Sequence, residues 1–183
     1  ALIDTGAEET QNVINRVSLI DDNLSGTNSH GDEMVNAIVG QDKNAKVLSI
    51  RALGDDGKGT ISSIVAAMEY AISQDVDIIN LSLYAKTNAL NSVLEAEIEK
   101  ADEEGIMVVG AAGNDGADVS NYMPGSVWQA IIIGACNEEG RRYPFSNYGE
   151  NVAYYVNAES TSEAAAKFSG YLYSHSYISI SPD

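Results

Sequence analysis

Short apolar runs alternate with amphipathic stretches along most of this chain, and that alternation restricts the fold more than any other feature of its 183 residues. Ala1-Leu2-Ile3-Asp4, Lys46 to Leu53, Val76 to Leu83, Ile106 to Ala112 and Gln129 to Gly134 read as buried strands. Arg16 to Ile20 and Asn151 to Val156 are further strand candidates. Between them, His30 to Gly40 places Met34, Val35, Ile38 and Val39 at helical spacing. Thr60 can cap a helix carrying Ile61, Ile64, Val65, Met68 and Ile72, and Leu90 to Glu104 sets Val93, Leu94 and Ile98 on one face. Such alternation implies parallel strands joined by right-handed crossovers. The expected fold is α/β, a three-layer sandwich with a mostly parallel central sheet and ligands bound outside the carboxyl ends of the strands.

Charge narrows the function classes. With 10 basic against 27 acidic residues and a net charge of −17, the chain is a poor match for nucleic acid or anionic membrane surfaces. No apolar run reaches the length of a membrane span, and no signal-peptide pattern is present. Because the chain opens at Ala1 directly in an apolar run, it is expected to be a mature or excised part of a larger protein. The single Cys136 lies within Ala130 to Cys136, so a buried inert thiol is expected and an intrachain disulfide is impossible.

The polar residues at strand ends carry the chemistry. Asp4 ends the first apolar run and is followed by Thr5-Gly6, His30 opens a helix, Asn114 follows the run ending at Ala112, and Ser162 stands where Ser160-Thr161-Ser162 opens onto the helix-forming Glu163-Ala164-Ala165-Ala166. Each has an ordinary structural reading. Asp4 can cap a turn, His30 can be an exposed helix start, Asn114-Asp115-Gly116 can be a plain turn, and Ser162 can be an N-cap. Gathered on one sheet edge, the four supply an acid, a base, an amide donor and a nucleophile. In serine-based acyl transfer His30 would take the Ser162 proton, Asp4 would orient the imidazole, and Asn114 would donate to the oxyanion.

Asp4-Thr5-Gly6, His30-Gly31, Ala111-Ala112-Gly113-Asn114 and Thr161-Ser162, in that order, resemble the signature blocks of the subtilisin-like serine proteases (subtilases, peptidase S8 type). Val47 to Gly59 and Asp77 to Leu83 resemble the family's supporting segments. The similarity spans about residues 1–174, which the resemblance implies is one catalytic domain, leaving 175–183 as a tail or linker. It implies a serine endopeptidase with Asp4, His30 and Ser162 as triad and Asn114 as oxyanion donor. It also implies a peptide or protein substrate held along Ser82, Leu83, Tyr84, Ala112 and Gly113, no cofactor, and a secreted or cell-surface location.

The chain departs from the family pattern at several positions. Asp32-Glu33-Met34-Val35-Asn36 replaces the usual Thr-His-Val-Ala-Gly after His-Gly, and two acids beside His30 favour its protonated form. Ser160 stands where the family has glycine before Thr-Ser. Tyr84-Ala85 replaces Gly-Gly after Ser82-Leu83, so Tyr84 is expected to narrow the substrate pocket. The stretch between Val39 and Ala45 is too short for the family's common calcium loop, so no equivalent metal site is expected, and the connection from Gly149 to Ser160 is abbreviated. These departures keep a second reading open: a binding or regulatory module of the same fold with weak or no turnover. A flavodoxin-like nucleotide or phospho-acceptor domain also fits the alternation, but no Gly-rich phosphate loop follows the first strand.

Overall fold

The computed structural model describes residues 1–87 and 91–176. Seven parallel strands form the central sheet: β1 (Leu2–Asp4), β2 (Val13–Ser18), β3 (Val47–Arg51), β4 (Ile78–Leu81), β6 (Met107–Ala111), β8 (Ile131–Cys136) and β9 (Val152–Asn157), in the order β2-β3-β1-β4-β6-β8-β9. The chain winds outward from β1 to one edge, then crosses back to β4 on the other side of β1. The reversal of strand order therefore falls between β1 and β4, where open α/β sheets leave a crevice at their carboxyl ends.

Alternation along the strands sorts side chains into two cores. Ile3, Ile50, Ile79, Leu81, Val108 and Ile132 face α2 (Ile61–Ser73) and α3 (Asn91–Glu103), joining Met68, Leu94 and Ile98. On the opposite face Leu2 and Val47 pack with Met34, Val35 and Ile38 of α1 (His30–Gln41), while Val109, Ala111 and Ile133 pack with Ala164 and Ala165 of α4 (Thr161–Ser176). Small residues let α4 lie close to its neighbours. Ala164, Ala165 and Ala166 are fully buried, and a side chain at Gly170 would strike the Ile38 carbonyl of α1. The amino ends of α1 and α4 are thereby brought together.

Most expected elements are present with bounds shifted by a few residues. The second strand is displaced: pairing with β3 starts at Val13, next to a Val47 N–H to Asn12 carbonyl bond, and ends at Ser18, so Ile20 lies outside it and is exposed. Thr60 does cap α2, in a reciprocal capping box completed by Ser63. One pairing was not foreseen. Within the stretch read as a long loop after Asn114, β7 (Tyr122–Met123) pairs antiparallel with β5 (Ala85–Lys86). Leu90, expected to open α3, and residues 177–183 of the expected tail lie outside the described residues. Cys136 is buried and free.

Candidate active site

β1 delivers Asp4 to the crevice, and backbone bonds hold it there. The Asp4 carbonyl accepts from the N–H groups of Ala52 and Leu53 at 2.9 and 3.1 Å, just past β3. Its side chain is almost fully buried, and Oδ1 accepts from the Thr5 N–H and lies against His30 Nδ1, both at 2.7 Å. His30 is the first residue of α1, where the packing of α1 against β1 brings the ring onto the carboxylate while a third of the side chain stays exposed. The hydrogen bond to Asp4 raises the His30 pKa above the ordinary 6.5; burial opposes this, and the charges of Asp4 and Glu33 add to it. Of the two acids after His30-Gly31, Glu33 contributes to that shift, while Asp32 Oδ1 accepts from the Glu8 N–H at 2.8 Å.

The opening of α4 separates two serine roles that sequence leaves merged. Ser160, standing where the family has glycine, is the helix cap: its Oγ accepts from the Glu163 N–H at 3.1 Å, and its carbonyl accepts from the Ala164 N–H at 3.0 Å. Ser162, second in the helix, is thus free of capping. Its hydroxyl donates to the Ser82 carbonyl at 3.0 Å, and the Ser82 hydroxyl returns a 2.8 Å bond to the Ser162 carbonyl. A hydroxyl has one proton, so in this structure it is not shared with His30. His30 nonetheless lines a single open depression with Ser160, Glu163, Glu33 and Lys167, so the imidazole and the helix start face the same space.

Asn114 follows β6 and is oriented from α4. Its Oδ1 accepts from both the N–H and the hydroxyl of Thr161, each at 3.0 Å, which turns the amide NH2 away from those donors. Thr161 Oγ also accepts from the Gly113 N–H at 3.1 Å. Of the segments expected to hold substrate, Ser82 is buried while Leu83 and Tyr84 are partly covered. Ala112 and Gly113 form the facing wall. Gly113 has φ +101°, and a Cβ there would fall 2.9 Å from the Tyr84 ring, so Tyr84 covers Gly113 directly beside Asn114. The Tyr84 ring also packs on Tyr122 of β7, with centroids 6.0 Å apart.

Three supports were invisible in sequence. Asn147, fully buried, donates to the Ala112 carbonyl at 2.9 Å and accepts from the N–H groups of Asp115 and Ala117, clamping the loop around Asn114. Asn80, fully buried in β4, lies 2.8 Å from the Ser82 hydroxyl and 2.9 Å from that of Ser169. Ser146-Asn147 looks like any polar loop, and it closes an ordinary turn in which the Ser146 N–H donates to the Tyr143 carbonyl at 3.0 Å. The third is Arg51, buried at the end of β3, which donates to the Thr5 carbonyl. Among the described residues no group of three or more His, Cys, Asp and Glu side chains is placed to hold a metal ion.

The model of the subtilase family matches residues 4–178. A subtilisin-like protease 2 from Pseudogymnoascus destructans is 37% identical over 133 residues, covering 70% of this chain and 32% of its own length. A thermophilic serine proteinase from Bacillus sp. (strain AK1) is 32% identical over 166 residues, covering 81% and 41%. The chain therefore spans less than half the length of these relatives. A crystal structure of a cold-adapted subtilisin-like serine proteinase superposes with a TM-score of 0.86 at 23% identity, over 94% of this chain and 73% of that one, and carries the same fold. With the family model matched over nearly all of its length and relatives above 30% identity, the chain belongs to the subtilase family.

Proposed function

We propose that this chain is the catalytic portion of a serine endopeptidase acting outside the cell, with Ser162 as nucleophile, His30 as general base, Asp4 as the residue that orients the imidazole, and Asn114 as oxyanion donor. The observation that carries the reading is the 2.7 Å bond between buried Asp4 and His30 Nδ1, which presents the other ring nitrogen as the base. In the resting arrangement the Ser162 hydroxyl occupies the Ser82 carbonyl. A peptide N–H accepted by that carbonyl displaces the hydroxyl, and rotation about one side-chain bond turns it toward His30. Attack on the substrate carbonyl then transfers the proton to His30, and the imidazolium returns it to the leaving amine. The Asn114 amide, oriented by Thr161, donates to the oxygen as it becomes negative. Ser82 to Tyr84 and Ala112-Gly113 form the two walls for the peptide.

A second reading, a binding module with poor turnover, draws support from Tyr84, whose ring covers Gly113 where an extended peptide would approach. One experiment separates the two. A fluorophosphonate probe is expected to label Ser162 near neutral pH, and His30→Ala to abolish labelling in protein that remains folded by circular dichroism. Tyr84→Gly is expected to raise peptide turnover more than probe labelling. Unlabelled Ser162 in folded protein, with the probe active on a control hydrolase, would reject the endopeptidase reading in favour of the binding module.

A further inference from the structure

The Asp4 carboxylate is held by very little. Oδ1 takes the Thr5 N–H and His30, while Oδ2 is buried without a hydrogen-bond partner. Its orientation therefore depends on how firmly Thr5 is fixed. The Thr5 hydroxyl donates to the Asn28 carbonyl at 3.2 Å and accepts from the Gly31 N–H at 3.0 Å, joining the residue after Asp4 to the residue after His30. The Thr5 carbonyl accepts from Arg51.

Arg51 ends β3 in direct register with Asp4, and only 2% of it is exposed. Its guanidinium forks across three segments. Besides the Thr5 carbonyl, it donates to both oxygens of Asp21, at 3.3 and 3.2 Å, and to Asp55 Oδ1 at 3.0 Å. Asp55 Oδ1 in turn accepts from the Thr27 N–H at 2.9 Å, and the Asn28 amide donates to the Asp55 carbonyl at 3.1 Å. One buried cation thus ties the turn carrying Asp4 to the loop that delivers His30. An ammonium is a point donor on a flexible stem and cannot reproduce that planar fork.

We propose that Arg51 is the positioning residue of the Asp4–His30 pair: through Thr5 it sets the distance and angle at which the carboxylate meets the imidazole. The inference rests on the endopeptidase reading for its catalytic consequence, but the geometry it claims is read at His30 itself. The charged groups around His30 are Asp4 from β1, Asp32 and Glu33 on α1, and Glu159, Glu163 and Lys167 across the depression. Arg51→Lys keeps the charge and removes the fork, so none of those electrostatic contributions changes sign.

The test is an NMR titration of the His30 ring together with fluorophosphonate acylation, in wild type, Arg51→Lys and Arg51→Met. Positioning predicts that the His30 pKa falls back toward 6.5 in both variants as the Asp4 bond loosens, with acylation slowed about 10- to 100-fold. Loss of a nearby cation acting through charge alone would move the His30 pKa up in Arg51→Met and leave Arg51→Lys unchanged; that pattern overturns the proposal. So does an unaltered titration in folded variants. If both Arg51 variants unfold, Asp55→Glu, which keeps the charge and displaces the oxygen that holds one arm of the fork, decides: a smaller downward shift supports positioning and none refutes it. Wild type that titrates as expected yet resists the probe would sink the endopeptidase reading and leave the positioning claim standing.

Discussion

His30 sets the pH behaviour of the site. Its folded pKa lies above 6.5, chiefly through the Asp4 hydrogen bond, so its contribution to stability is fully present below about 6.5 and is lost as pH rises through the folded value. The same shift works against the proposed general-base role. In that mechanism neutral imidazole takes the Ser162 proton, so acylation is expected to be slow at pH 6.5 and to rise with pH, with its midpoint above that value. A pH–rate profile with fluorophosphonate checks this, and Glu33→Gln should move the midpoint down, because one of the charges favouring imidazolium is removed. An unmoved midpoint would mean that solvent screens Glu33 from the ring.

At the scale of elements, the start of α4 is built by a division of labour among three adjacent residues. Ser160 caps, Thr161 orients Asn114, and Ser162 is left with a hydroxyl that the helix does not need. Ser160→Ala is therefore expected to cost about 1 kcal/mol of stability. For a chain of this size that lowers Tm by roughly 2–4 °C, measurable by calorimetry. Probe labelling of Ser162 should persist in that variant, because the cap and the proposed nucleophile are different side chains. Loss of labelling with an unchanged Tm would show that Ser160 serves the site directly. The helix lies so near the sheet because Ala164 to Ala166 have no bulk, and so near α1 because Gly170 faces the Ile38 carbonyl. That close approach is what brings the His30 end of α1 and the Ser162 end of α4 to one depression.

For the molecule as a whole, a net charge of −17 against 10 basic residues governs long-range encounters. Several of those cations are already engaged: Arg51 with Asp21 and Asp55, Arg16 with Glu9, and Lys167 with Glu163. Retention on heparin or DNA columns at moderate salt is expected to be undetectable, since too few cations remain to release bound counterions. Saturable, salt-sensitive retention would reveal a basic surface at odds with this distribution. Among the described residues no helix is long and apolar enough to cross a membrane.

What the sequence determined by itself is what local chemistry encodes. Apolar runs such as Ile106 to Ala112 read as strands buried on both faces, Thr60 caps a helix by its own reach, and the parallel sheet is implied by alternation because strands joined by crossover helices run the same way. The candidate quartet was legible too, since Asp4, His30, Asn114 and Ser162 stand at element ends where a sheet of this kind gathers side chains. The tertiary structure decided what depends on partners distant in the chain. The β5–β7 pairing joins segments too short to announce themselves, and the displaced β2 took its register from β3 in place of its own apolar residues. Whether Ser160 or Ser162 caps α4 turned on one hydrogen bond, and the covering of Gly113 by Tyr84 turned on the approach of two loops. The supports of the site, Asn147 on the Asn114 loop and Arg51 beneath Asp4, bond across 35 and 46 residues of chain, and no local pattern carries that information because their partners are backbone groups that every residue possesses.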